Sequence, residues 1–132
     1  MTPILLWIDA LENRYWSIRG RLRGPVNDPQ ICGDGFCALG VLCDLYLKNG
    51  GEDVLKFKAR WDGSHFVWDE DGTEQRQSNE NDVPKPVMVW WKKFHAMDLA
   101  GIITFNDDLY RSFNELAMYL RGAAGLHYVT AK

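Results

Sequence analysis

Between Asp34 and Asp44 the chain passes through nine consecutive uncharged residues, Gly35-Phe36-Cys37-Ala38-Leu39-Gly40-Val41-Leu42-Cys43. Their apolar side chains cannot be confined to one helical stripe, so a helix formed here must be covered on most sides by the rest of the fold. The run predicts a central buried helix with Asp34 as its N-cap, finishing around Asn49, with Gly50-Gly51 as a left-handed exit.

The remaining residues are numerous enough to supply that cover. With 132 residues and 46% hydrophobic side chains, residues 1–132 are expected to form a single globular domain that buries a sizeable share of its surface. A formal charge of -3 and a sequence pI near 5.5 argue against a protein whose main task is coating nucleic acid, since phosphate neutralisation needs a net or clustered basic surface. The opening Met1–Asp9 shows neither a basic region nor a cleavage signature, and no apolar run is long enough to span a bilayer,. The expectation is a cytoplasmic protein without membrane association. Cys32, Cys37 and Cys43 form an odd set with no usual zinc spacing and are read as reduced thiols,.

Around the central run the chain reads as helices and a small sheet. Thr2 and Pro3 suit an N-cap and first helical position, and Ile4, Trp7, Ile8 and Leu11 recur at i, i+3, i+4, i+7 in a first helix ending near Asn13,. Alternation from Tyr15 to Leu22 predicts a strand stopped by Gly24-Pro25, followed by a loop from Val26 to Gly33,. Leu55–Trp61 and His65–Trp68 flank Asp62-Gly63 as an antiparallel hairpin. Asp69 to Asp82 is polar and acidic and reads as a mobile surface loop,. A third helix starts near Lys85-Pro86 with Val87, Trp90, Trp91 and Phe94 on its packing face,. After a buried extended run or short helix from Leu99 to Phe105, Asn106-Asp107-Asp108 reads as a turn. Ser112-Phe113-Asn114-Glu115 forms a capping box for a last helix, with Gly122 as its stop,. The expected class is therefore α+β, about four helices packed with a small antiparallel sheet.

These landmarks together resemble a family of small, largely uncharacterised phage and prophage proteins. The pattern runs from Trp7-Ile8-Asp9-Ala10-Leu11 through Arg21-Leu22-Arg23 to Phe36-Cys37-Ala38-Leu39-Gly40-Val41-Leu42-Cys43-Asp44-Leu45-Tyr46. It resumes at Trp61, at Val83-Pro84 followed by Val87 and a Trp at 90 or 91, at Phe105-Asn106-Asp107, and at Ser112-Phe113-Asn114-Glu115-Leu116-Ala117. The central helix motif is its most specific part. This chain differs in having Ala38 where a second cysteine is common, Val83 where leucine is common, and Phe105 before Asn-Asp; the long acidic segment is also less typical. The resemblance implies carriage on a mobile element and an accessory role, and it brings no established catalytic residues.

Candidate chemistry begins with Cys37, which would sit at N3 of a helix capped by Asp34, where the helix dipole favours a thiolate. A cysteine at the start of a buried helix resembles papain-like and cell-wall amidase folds, with His65 as the base and Asp69 or Asn106 as its orienter. Against this, Asp34 places a negative charge at the same helix end, and a small apolar core cysteine is the commoner role. Arg19, Arg21 and Arg23 recur at strand spacing and would project from one face, either gripping an anion or an acidic partner through bidentate contacts or simply solvating an edge. Trp61, Trp68, Trp90 and Trp91 suit a stacking platform or a core, with Trp68 expected to be the most exposed. His95 and His127 lack a second ligand at metal spacing, and Asp69, Glu70, Asp71 and Glu74 are not in a calcium-loop register,. No metal or cofactor is expected. The leading expectation is a non-enzymatic accessory protein that binds a host protein or a small anionic, nucleotide-like ligand, with Arg19, Arg21, Arg23 and Trp68 as binding residues. A Cys37–His65 hydrolase or amidase is the alternative, and a nucleic-acid-binding regulator is disfavoured because no basic recognition helix is present.

Overall fold

The computed structural model describes residues 2–18, 20–26, 28, 30, 33–49, 57–108 and 112–125. Arg19, Cys32, Gly50-Gly51, the first residues of the Leu55–Trp61 segment and His127 lie outside them. Within the described residues the chain forms α1 (Pro3–Asn13), β1 (Arg23–Pro25), β2 (Asp34–Phe36), α2 (Ala38–Lys48), β3 (Ala59–Asp62), β4 (His65–Glu70), β5 (Thr73–Gln77), α3 (Lys85–Phe94), α4 (Leu99–Asp108) and α5 (Phe113–Ala123). Five helices and two small antiparallel sheets make an α+β fold. No helix among these residues is long and apolar enough to cross a membrane.

The central helix is buried as its composition requires: every residue from Ala38 to Tyr46 is buried. Its start differs from the expected one. Cys37, not Asp34, is the N-cap, its sulfur accepting the Gly40 N–H at 3.3 Å. Asp34–Phe36 is instead drawn into β2, antiparallel to β1 on one side and bridged in parallel by Ser17 on the other. Gly35 permits this close pairing, because a Cβ there would stand 2.5 Å from Ile18 Cγ2. Gly40 permits another. Its missing Cβ would lie 1.8 Å from the Leu22 carbonyl oxygen, the same oxygen that accepts the Cys37 N–H at 3.2 Å. The chain segment before β1 thus rests directly on the first turn of α2.

The alternating stretch Tyr15–Leu22 is not a continuous strand. Gly20 adopts φ +88° and turns the chain, leaving Ser17 as a single bridge residue before β1 begins at Arg23. Gly24-Pro25, expected to stop a strand, lies within β1; Phe36 turns its N–H and C=O to Trp16 and Ile18, so Arg23–Phe36 and Pro25–Asp34 are the non-hydrogen-bonded pairs of the ladder and the proline breaks no bond to β2,.

The β3–β4 hairpin closes as expected, with Asp62 paired to His65 and Gly63 at φ +59°. The polar stretch from Asp69, by contrast, is not a surface loop throughout. It completes β4 and returns as β5 through Asp71 (φ 51°) and Gly72 (φ 78°), the two left-handed residues of a tight hairpin turn,. Ion pairs replace apolar patterning on this sheet face: Arg60 bonds Glu74, and Arg76 bonds both Glu74 and Asp62. The arginines stand directly opposite Val67 on either side and leave it fully buried,. The other face carries Phe66, whose ring meets Tyr46 of α2 edge-on at 6.2 Å.

The helices close the remaining sides. Trp7 of α1 donates its indole N–H to the Ala38 carbonyl at 3.0 Å, and its ring meets Trp91 of α3 at 5.6 Å and 83°. Val87, Trp90 and Trp91 are buried as the spacing of α3 predicts, whereas Phe94, on the last turn, is 46% exposed. The helix α4 continues through Asn106-Asp107-Asp108, where a turn was expected. In α5 both bonds of the capping box form at 3.2 Å. That helix runs past Gly122 to Ala123, and its left-handed exit is Gly125. A bidentate pair between Arg121 and Glu12 ties α5 to α1.

Candidate functional site

The residues singled out from the sequence are dispersed by the fold. Cys37 is 5% exposed and its sulfur caps α2. His65 opens β4, on the strand face opposite Phe66 and therefore opposite the face turned toward α2,. Arg21 lies on the bend before β1 rather than on a shared strand face with Arg23, because Gly20 interrupts the alternation. Arg23 is committed locally: its guanidinium bonds Asp34 at 2.7 Å and lies 5.7 Å from the Phe36 ring and 5.5 Å from the Trp61 ring. Trp68 is only 8% exposed, its indole N–H bonded to Glu70 at 3.3 Å. The most exposed tryptophan is Trp16, at 57%.

A different constellation forms where α1 exits against the C-terminal half of α2. Asp44 is the buried charged residue among those described, and an unpaired carboxylate in that position would be costly. Three donors converge on it. Tyr15 Oη donates at 2.6 Å and the Trp61 indole N–H at 2.9 Å, while Lys48, one helical turn on, places its ammonium 2.9 Å away. Burial alone would raise the Asp44 pKa, but the hydrogen bonds from Tyr15, Lys48 and Trp61 outweigh it and hold the carboxyl below its usual range,. The Tyr15 phenol is pushed far up by its own burial and by donation to that carboxylate. Cys43, beside Asp44 in α2, is likewise raised well above an ordinary thiol, by burial first and then by the neighbouring Cys37 and Asp44. It is not a nucleophile at neutral pH.

Above this network lies a cleft of about 590 Å³ between α1 and α2. Leu6, Ala10, Leu45 and Tyr15 line it, Leu6 half-buried and Ala10 and Leu45 almost wholly covered. Its charged groups are Asp9, Arg14 and Lys48. Arg14 Nε bonds Asp9 Oδ2 at 2.8 Å, and Asn13 donates to the other Asp9 oxygen at 3.0 Å. These two contacts, in that order, hold the Asp9 carboxyl below its ordinary pKa. Lys48 also stands 5.6 Å from the Tyr15 ring centroid,. Both cations remain accessible, with side chains 67% and 65% exposed.

The cleft thus combines an accessible guanidinium and an accessible ammonium, each paired with a carboxylate, with the half-buried side chain of Leu6. The sequence carried one signal for this site, an acid inside an otherwise apolar helix, with Lys48 four residues beyond it,. Among the described residues no group of three or more His, Cys, Asp or Glu side chains is placed to hold a metal ion. No protein-family model, curated protein or solved structure matches the chain.

Proposed function

We propose that the chain is a non-catalytic accessory binding protein, of the phage and prophage kind its motifs resemble, that captures a small anionic ligand and thereby blunts a host response. The cleft between α1 and α2 carries this reading, because it combines a volume suited to a small molecule with two accessible cations over apolar side chains,. The placement of Cys37 supports a binding role over a hydrolytic one. Its sulfur is spent as the N-cap of α2 in a buried position, where a thiol is inert,.

Native mass spectrometry of the purified protein, before and after denaturation, tests the reading. The expected result is a non-covalent adduct of small-molecule mass that is lost on denaturation and is absent from an Arg14→Gln, Lys48→Gln double variant. A bare chain mass, together with an unchanged melting temperature across a panel of nucleotides and organic acids, refutes it. Rapid iodoacetamide labelling of Cys37 that also depends on His65 would move the function to the hydrolase class.

A further inference from the structure

We infer that the cleft between α1 and α2 takes an organic monocarboxylate, its carboxylate held between Arg14 and Lys48 and its apolar body lying against Leu6. This rests on the ligand-binding reading above and narrows it to one chemical class.

The first ground is the way the two cations are held. Each is bonded to an acid that keeps other donors when the cation turns away. Asp9 retains the Asn13 amide if Arg14 leaves it. Asp44 retains the Tyr15 hydroxyl and the Trp61 indole N–H if Lys48 leaves it. Neither acid is stripped when its cation swings to a ligand, and for Asp44, the buried one, this avoids the penalty of an unsatisfied carboxylate,. The same acids hold both cations beside the cleft, which reduces the ordering cost of binding,.

The second ground is charge. One carboxylate, one guanidinium and one ammonium line the cleft, and the Asp44 carboxylate pairs with Lys48 from beneath, so two cations stand against two carboxylates. A ligand of the lowest negative charge suits that balance best. A phosphomonoester dianion or a nucleotide di- or triphosphate would bring its surplus charge against Asp9 and Asp44. The third ground is Leu6, a half-buried aliphatic side chain in the lining, which rewards an apolar body,. A carboxylate also accepts in one plane from the paired N–H groups of a guanidinium, a geometry that Arg14 supplies.

Titration of the full chain with indole-3-acetate and octanoate, followed by calorimetry and by amide NMR shifts, decides the matter. Indole-3-acetamide serves as the neutral probe and AMP as the phosphate probe. Both carboxylates should bind and shift the amides of Leu6, Ala10, Leu45 and Asn49. Indole-3-acetamide should bind roughly tenfold more weakly or worse, the effect of losing a hydrogen bond to a charged group. Arg14→Gln and Lys48→Met should each weaken the carboxylates by a similar factor, Arg14→Lys should restore part of the loss, and added salt should weaken wild-type binding. Equal affinity for acid and amide overturns the inference. So does AMP shifting the same amides while the carboxylates do not, in which case the broader anion-binding reading stands. If no probe moves those amides, both fall.

Discussion

Replacing His95 with phenylalanine should remove the cap of the first helix and make its loss depend on pH. The N-cap position of α1 is Thr2, whose side chain makes no capping bond, and Pro3 at the first helical position has no N–H to offer,. The first orphan donor is therefore Ile4 N–H. It donates at 3.1 Å to Nε2 of His95, the residue that ends α3. That bond requires Nε2 to be unprotonated, which fixes the neutral tautomer with the proton on Nδ1. Protonation would turn the acceptor into a donor facing a donor and would place a positive charge at the positive end of the α1 dipole.

Burial beside Trp91, with ring centroids 4.4 Å apart, lowers the His95 pKa below its ordinary value,. The unfolded chain thus takes up the proton first as pH falls. The contribution of His95 to stability is complete above about pH 6.5, the unperturbed value, and is lost as pH drops from there through the lower folded-state value. A lost N-cap costs about 1 kcal/mol. For a domain of this length that corresponds to roughly 3–5 °C in Tm. Thermal melts of wild type and His95→Phe by circular dichroism should differ by about that amount at pH 7.5, with phenylalanine preserving the contact with Trp91. The gap should narrow as pH is lowered to 5, because wild type loses its acceptor while the variant has none to lose. Carboxylate titration is common to both proteins and cancels in the difference. A gap that is constant between pH 7.5 and 5, or absent at pH 7.5, refutes the capping role.

Three further outcomes follow from packing. Leu39→Ala empties a fully buried position in α2 and should cost about 2–5 kcal/mol in urea unfolding; an unchanged midpoint would contradict the burial of that face. Gly40→Ala should cost at least about 1–3 kcal/mol, since its Cβ would lie 1.8 Å from the Leu22 carbonyl oxygen, and a variant as stable as wild type would mean that the segment before β1 does not rest on α2. Ser112→Ala should cost about 1 kcal/mol and leave carboxylate binding unaltered, because the capping box of α5 contributes no side chain to the cleft; loss of binding at unchanged stability would place Ser112 in a site.

The elements that could be read from the chain are those whose cause lies within a few residues. The capping box at Ser112, the 3.6-residue spacing of Ile4, Trp7, Ile8 and Leu11, and the Asp62-Gly63 turn are local, and each forms as expected. The strand β5 has no such signal, since Thr73–Gln77 contains no apolar residue. It forms because Arg60 and Asp62, on β3, supply charges that match Glu74 and Arg76, and because Val67 draws the two arginines across it,. Asp71-Gly72 is a local turn signal for that hairpin, which the reading of Asp69 to Asp82 as a loop passes over. The displaced start of α2 has a similar origin. Asp34 is the stronger N-cap by residue type, but Gly35 and Phe36 pair with β1 and with the Ser17 segment, so the helix starts at the next residue able to accept a bond.

The cleft shows how a demand can be visible in a sequence while its answer is not. Asp44 sits in a helix covered on all sides, and a carboxylate there must collect donors or lose its charge. The sequence states that need but names only Lys48, the neighbour one turn away. The other two donors come from Tyr15, 29 positions earlier, and from Trp61, 17 positions later, and neither separation matches a helix or hairpin period. Their convergence fixes the segment after α1 onto one flank of α2 and β3 onto another. Tyr15 and Lys48, both bonded to Asp44, then line the space between α1 and α2. The arrangement that satisfies the buried acid therefore also shapes the cleft. Asp44→Asn tests this dependence: it should lower the midpoint of urea unfolding and release Lys48 together, even though residue 44 itself does not line the cavity, and an unchanged midpoint would mean that the three donors do not fix these segments to α2.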